Sequence, residues 1–175
     1  MAVRPTTDRV REAVFSVLGE RVAGTKVLDL FAGTGAMAIE ALSRGASGAV
    51  LVESFPPAIE ALKANLASVE ASSAVCLPMD FRKALRRLAA RGETFSLVFL
   101  DPPYGKGLLE RAAGELDRAG ILAPGAVVVA ESASREPAEA VPGGWAPFSE
   151  KRYGDTRVSF YEVPSGAERP ENDSG

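Results

Sequence analysis

Apolar positions recur along the chain with two different spacings, one typical of helices and the other of short buried strands. From Thr7 to Leu18, residues Val10, Val14 and Val17 return every three or four positions, which predicts an amphipathic helix. Short apolar runs predict strands at Lys26–Phe31, Ala49–Glu53, Ala74–Met79, Phe95–Leu100 and Ala126–Ala130. Helical patterns between them cover Ala36–Arg44, Ala58–Val69, Phe81–Ala90 and a stretch from about residue 108 to Ala119.

The spacing changes near the end of the chain. Two further runs, Trp145–Lys151 and Arg157–Val163, flank the turn sequence Arg152–Thr156, which predicts an antiparallel hairpin. The earlier alternation of strands and helices predicts an α/β fold whose mostly parallel sheet has helices on both faces. Ligands of such sheets bind beyond the carboxyl ends of the strands, so binding and catalytic residues are expected at these ends.

Composition narrows the possible chemistry. The 175 residues include no histidine and one cysteine, which excludes imidazole catalysis, His-ligated zinc and an internal disulfide, and is typical of a reducing cytoplasm. We expect one domain over residues 1–164, in which residues 1–19 contain the R-P-T-T-D segment and the first helix, and a disordered acidic tail over 165–175. No membrane span or targeting signal is recognisable, and the net charge of −3 requires any nucleic acid to meet a local basic face.

Acidic residues stand at the tips of the predicted strands. Asp29 ends the first strand and leads into Gly33-Thr34-Gly35, a turn that lets a ligand approach the backbone. Glu53 ends the second strand, where an acid can accept both hydroxyls of a ribose. In the alternative interpretation, these two acids only cap a loop or lead into a helix.

The third strand is followed by Asp80-Phe81. These residues could receive an adenine amine and pack on its ring, although Asp80 could equally cap the next helix. The fourth strand is followed by Asp101-Pro102-Pro103-Tyr104, which combines a carboxylate, free carbonyls and an aromatic face. That set suits a planar group with an exocyclic amine, whereas a rigid surface turn is the alternative.

These motifs together resemble those of class I S-adenosylmethionine-dependent methyltransferases that modify base amines. The opening Arg4–Glu12 (RPTTDRVRE) and the late Lys151–Thr156 (KRYGDT) are similar to segments of the RsmD family of bacterial 16S rRNA guanine-N2 methyltransferases. The resemblance covers residues 4 to about 163. It implies a Rossmann-like sheet of seven strands with the last antiparallel, S-adenosylmethionine as cofactor, no metal, and 16S rRNA within the 30S subunit as partner of a cytoplasmic monomer.

The resemblance also implies roles for individual residues. Asp101, Pro102, Pro103 and Tyr104 would hold the guanine. The cofactor would be lined by Asp29, Phe31, Ala32, Gly33, Thr34, Gly35, Glu53, Ser54, Asp80 and Phe81. RNA would be contacted by Arg4, Thr6, Thr7, Arg9, Arg11, Lys151 and Arg152. The basic run from Arg82 to Arg91 is interpreted as a solvated helix face, with RNA contact as the alternative.

Three other functions remain open at this point. The D-P-P-Y motif also occurs in adenine-N6 methyltransferases acting on DNA or RNA. A binding module without turnover would keep the cofactor turn but not need this motif. A nucleotide-dependent dehydrogenase is disfavoured because the chain has no G-x-G-x-x-G sequence.

Overall fold

The computed structural model describes residues 8–105 and 107–165. Seven strands are β1 (Lys26–Asp29), β2 (Gly48–Val52), β3 (Ala74–Leu77), β4 (Phe95–Leu100), β5 (Leu122–Ala133), β6 (Ala146–Tyr153) and β7 (Thr156–Glu162). The five α-helices are α1 (Asp8–Leu18), α2 (Ala36–Ser43), α3 (Pro56–Ser68), α4 (Phe81–Ala90) and α5 (Leu108–Arg118), and a short 3-10 helix follows α1 at Gly19–Arg21.

The strands form one sheet in the order β3-β2-β1-β4-β5-β7-β6. Strands β1 to β5 pair in parallel, and β7 runs antiparallel to both of its neighbours, β5 and β6. The predicted α/β fold, with seven strands and an antiparallel last strand, is therefore confirmed. Because β1 lies between β2 and β4, the carboxyl ends of these three strands meet at the centre of one edge.

Two apolar layers hold helices against the faces of the sheet. Helices α1, α2 and α3 pack on one face, through residues such as Phe15, Met37 and Leu62. Helices α4 and α5 cover the other face, where Leu85 and Leu116 pack against the strands. The central strands are buried on both sides, which explains their nearly continuous apolar sequences.

Several predicted boundaries were wrong, and three of them have a local reason. Strand β1 ends at Asp29 rather than Phe31, because the chain leaves the sheet to enter the glycine turn. Strand β5 was predicted too short: the polar residues up to Ala133 continue it by pairing with β7. The β6–β7 turn is also tighter than predicted, since Gly154 adopts a left-handed conformation with φ of 54° and the strands extend to Tyr153 and Thr156.

A buried arginine ties the loop after β5 to the sheet. Arg157, on β7, is only 5% exposed. Its guanidinium donates to the carbonyls of Ser134 at 3.2 Å and Glu136 at 3.0 Å, and its Nε lies 3.4 Å from a carboxylate oxygen of Glu150. Burying the charge is tolerated because these oxygens surround it.

Within the described ranges, no helix is both long enough and apolar enough to cross a membrane.

Candidate active site

The predicted acidic positions meet at the carboxyl edge of the central strands. Asp29 lies opposite Phe99 in the pairing of β1 with β4. Asp101 lies two residues beyond Phe99, just after the end of β4. Glu53 directly follows β2, on the other side of β1. The sheet order therefore brings together residues that are 24 and 72 positions apart from Asp29 in the sequence.

The glycine turn after β1 is held in a defined conformation. Gly33 and Gly35 have φ values of 56° and 89°, a region that residues with a Cβ adopt only with strain. The N–H of Gly35 donates to the carbonyl of Ala32 at 2.8 Å, and the side chain of Asn65 on α3 donates to the carbonyl of Thr34 at 2.9 Å. Helix α2 begins directly after Gly35, so its first N–H groups lie at this turn.

Glu53 organises the backbone of two loops. One carboxylate oxygen accepts from the N–H of Gly33 at 2.8 Å, and the other accepts from Ser54 at 2.8 Å and Phe55 at 2.9 Å. Glu53 is only partly buried, and the oxygen that accepts from Gly33 can accept a further bond. The same side chain therefore joins the glycine turn to the start of α3. Ala32 adds a second link, donating its N–H to the carbonyl of Val52 at 2.8 Å.

The pKa of Asp29, at this edge, is strongly perturbed. Asp29 is 3% exposed, and burial, followed by the charges of Asp101 and Glu53, raises its pKa from 3.8 to about 8. A hydrogen bond from the backbone of Phe31 acts in the opposite direction. Asp29 is therefore largely protonated at neutral pH, and a cation bound beside these three carboxyl groups would favour its ionised form.

Asp80 and Phe81 follow β3 at the carboxyl edge of the sheet. Asp80 is exposed and accepts from the N–H of Arg82 at 2.9 Å, so it caps α4. Phe81 is buried and packs against Phe31 with ring centroids 5.2 Å apart. Of the two rings, Phe31 is the more exposed. The capping alternative for Asp80 is thus realised, while its role toward an adenine stays a prediction.

The D-P-P-Y segment forms the loop after β4. Asp101 is partly buried, Pro102 is buried and Pro103 is exposed. Tyr104 is 37% exposed. A planar ligand could therefore stack on its ring while the carboxylate of Asp101 remains close to the glycine turn.

Among the described residues predicted to contact RNA, Arg9 lies beside the β6–β7 hairpin, on which Lys151 and Arg152 stand. The guanidinium of Arg9 stands 5.9 Å from the ring centroid of Tyr153, so the start of α1 meets the hairpin turn. Arg11 pairs with Asp8 at 2.9 Å. Lys151 and Arg152 are exposed on β6. Arg4, Thr6 and Thr7 lie outside the described residues, as does the predicted tail after residue 165.

Two supporting residues were missed by the sequence reasoning. Asn65 holds the glycine turn from a position inside α3, and no sequence signal distinguishes it from any other polar residue of a helix. A carboxylate oxygen of Glu139, in the loop after β5, lies 3.4 Å from the backbone N–H of Glu110 in the first turn of α5. That loop therefore braces the helix that follows the D-P-P-Y segment.

Comparisons with known proteins agree with this geometry. The family model described as conserved hypothetical protein 95 matches residues 1–162. Ribosomal RNA small subunit methyltransferase D from Escherichia coli K12 is 38% identical over 160 residues, covering 91% of this chain and 79% of that protein. The protein of the same name from Haemophilus influenzae is 32% identical and covers 91% of this chain and 83% of its own length.

A solved structure shows the same fold. The Escherichia coli protein yhhF superposes with a TM-score of 0.84 at 36% sequence identity, covering 94% of this chain and 89% of that chain.

Proposed function

Because the chain belongs to the ribosomal RNA small subunit methyltransferase D family, we propose that it transfers a methyl group from S-adenosylmethionine to the exocyclic N2 amine of a guanine in 16S rRNA. The observation that carries this proposal is the position of the D-P-P-Y loop. It follows β4, directly beside the glycine turn that follows β1. A base held by the loop and a cofactor held by the turn would then be neighbours.

The charge of the glycine-turn site suits this cofactor. Asp29, Glu53 and Asp101 interact closely enough to raise the pKa of Asp29, so the site favours a ligand that carries positive charge. S-adenosylmethionine supplies a methyl group that its positive sulfonium already activates. Gly33, Thr34 and Gly35 would hold it through their backbone, and Glu53 and Ser54 would meet its ribose. Phe31 and Asp80 would be close to its adenine.

The protein's main task is to orient a weak nucleophile. The N2 lone pair of guanine is delocalised into the ring, so hydrogen bonds to the amine must favour the geometry in which that pair is available. The carboxylate of Asp101 and the carbonyl of Pro102 can accept hydrogen bonds from the two N–H groups of the amine. They also stabilise positive charge developing on N2. Stacking on Tyr104 and the rigidity of Pro103 fix the ring plane. Such positioning supplies about 7–11 kcal/mol in favourable cases.

The target base must leave its stack to reach this loop. We propose that rRNA is held by the hairpin side of the molecule, through Arg9, Lys151 and Arg152, together with Arg4 and Arg11. The contact of Arg9 with Tyr153 supports this arrangement, because it joins the N-terminal segment to the hairpin turn. We further propose that the substrate is the assembled 30S subunit, and that the chain acts as a cytoplasmic monomer without a metal.

The test is methyl transfer from tritiated S-adenosylmethionine to 30S subunits that lack the modification, with naked 16S rRNA and double-stranded DNA in parallel. We expect label in the subunits and none in DNA. Label in DNA alone would favour the adenine-N6 alternative. Cofactor binding without transfer to any of the three would favour a binding module.

A further inference from the structure

Helix α4 presents a basic face to solvent. Phe81, Ala84, Leu85 and Leu88 form its buried side, at the spacing of an amphipathic helix. Three exposed cations occupy the opposite side, and we call this set the α4 ridge: Lys83, Arg86 and Arg87. The ridge is noteworthy because the whole chain carries a net charge of −3.

Nearby carboxylates do not neutralise the ridge. Glu115 on α5 pairs with Arg82 at 3.2 Å, and Glu93 pairs with Lys26 at 2.9 Å. Among the ion pairs formed within residues 8–105 and 107–165, none involves a ridge residue. Glu93 and Glu115 are thus already paired with other cations, while Asp80 caps the helix by accepting from the backbone N–H of Arg82.

The ridge is electrostatically unfavourable for the helix that carries it. Lys83 and Arg87 are four positions apart on one face, as are Arg82 and Arg86, and like charges at this spacing repel. Arg82 and Lys83 stand in the first turn of α4, at the positive end of the helix dipole, where the capping carboxylate of Asp80 opposes them. A bound polyanion would relieve both effects.

The ridge begins next to the candidate active site. Asp80, the cap of α4, follows β3 at the carboxyl edge of the sheet, and Phe81 packs on Phe31 beside the glycine turn. Ten helical residues span about 15 Å, which is long enough to face several phosphates of one RNA strand. This face lies across the sheet from α1, which contributes Arg9 to the hairpin side.

We propose that the α4 ridge contacts phosphates of the rRNA that flanks the target nucleotide. The inference rests on the proposed function, and it adds a second docking face on the opposite side of the sheet. Arginine and lysine at this spacing contact the backbone without reading the sequence. The ridge therefore contributes affinity and salt dependence, whereas the base is selected at the D-P-P-Y loop.

The test compares the chain with two triple variants of equal charge change. The ridge variant is Lys83→Gln with Arg86→Gln and Arg87→Gln. The control variant is Lys63→Gln with Arg118→Gln and Arg135→Gln, all exposed cations outside the proposed site. Binding to transcribed 16S rRNA is measured by fluorescence anisotropy at KCl concentrations from about 50 to 300 mM. The KM for reconstituted 30S subunits, the affinity for S-adenosylmethionine and the melting temperature are measured on the same proteins.

For the ridge variant, we expect the slope of log K against log salt to become shallower by about 2, because each single-stranded phosphate contact contributes about 0.7. The Kd for rRNA should rise at least about tenfold near 0.1 M salt, while cofactor affinity and melting temperature hold. The control variant should lose far less affinity for rRNA than the ridge variant.

Equal salt slopes for the chain and the ridge variant would overturn the proposal, as would equal losses in the two variants. A raised KM for subunits with unchanged binding to naked rRNA would overturn it too, since the ridge would then meet a protein. If the unaltered chain methylated neither RNA nor subunits, the proposed function would fail first, and the ridge proposal with it.

Discussion

Asp29 provides a test of the site's electrostatics that needs neither cofactor nor substrate. Its pKa rises from 3.8 to about 8 on folding, chiefly through burial and then through the charges of Asp101 and Glu53. Between these two pH values the folded protein keeps a proton that the unfolded chain has lost. Stability therefore falls as the pH rises from about 4 to 8, and the loss is complete above the folded pKa.

The substitution Asp29→Asn removes the ionisation while keeping a group of similar shape that can accept from the backbone N–H of Phe31. Each pKa unit corresponds to about 1.4 kcal/mol, so the full shift gives an upper limit of roughly 6 kcal/mol above pH 8. Relaxation and water penetration lower this figure, and we expect the variant to be about 1–5 kcal/mol more stable than the wild type at pH 8. Near pH 4 the two should be nearly equal.

The assay is urea unfolding of both cofactor-free proteins at several pH values between 4 and 9. Subtracting one stability curve from the other cancels the titration of all other groups. A difference that grows with pH and levels off near 8 supports the reasoning. A difference independent of pH, or a variant that is less stable at pH 8, would show that Asp29 is ionised in the folded protein.

Three further substitutions probe the remaining parts of the site. Asp101→Ala should lower kcat by at least about a hundredfold while calorimetric affinity for S-adenosylmethionine stays within a few-fold, and equal losses in both would refute its assignment to the base amine. Glu53→Ala leaves three backbone N–H groups without their carboxylate, so it should cost about 1–3 kcal/mol in thermal unfolding and weaken cofactor binding; an unchanged melting temperature would argue against that bracing role. Gly35→Ala should be more destabilising than Gly24→Ala by differential scanning calorimetry: both have positive φ, but only at Gly35 would the new Cβ lie 3.2 Å from Leu51, and equal costs would contradict the packing argument.

The fold could be predicted because its signals are local. Apolar runs of four to six residues separated by amphipathic helices lead directly to a parallel sheet, and the turn sequence near Gly154 marks the closing hairpin. The extent of β5 could not be predicted in the same way. Its polar end, including Glu131 and Ser132, is a strand only because β7 pairs with it, and that pairing joins residues about 25 positions apart.

At the candidate site, too, the features that depend on local sequence could be predicted and the contacts between separate elements could not. Sequence alone identified the acids at the strand tips and the D-P-P-Y loop, since each follows an apolar run. It did not reveal that Glu53 braces the glycine turn, or that Asn65 holds it from α3, because these bonds depend on the packing of separate elements. Nor did it reveal that Phe81 is buried at the start of α4 and packs against Phe31, while its contact with an adenine stays a prediction.

The central claim is that the amine held by Asp101 belongs to guanine. The most direct measurement is mass spectrometry of nucleosides from 30S subunits methylated by this protein with isotope-labelled S-adenosylmethionine. We expect the label in N2-methylguanosine at a single position of 16S rRNA. Label in N6-methyladenosine, or in a methylated guanosine other than the N2 product, would contradict it.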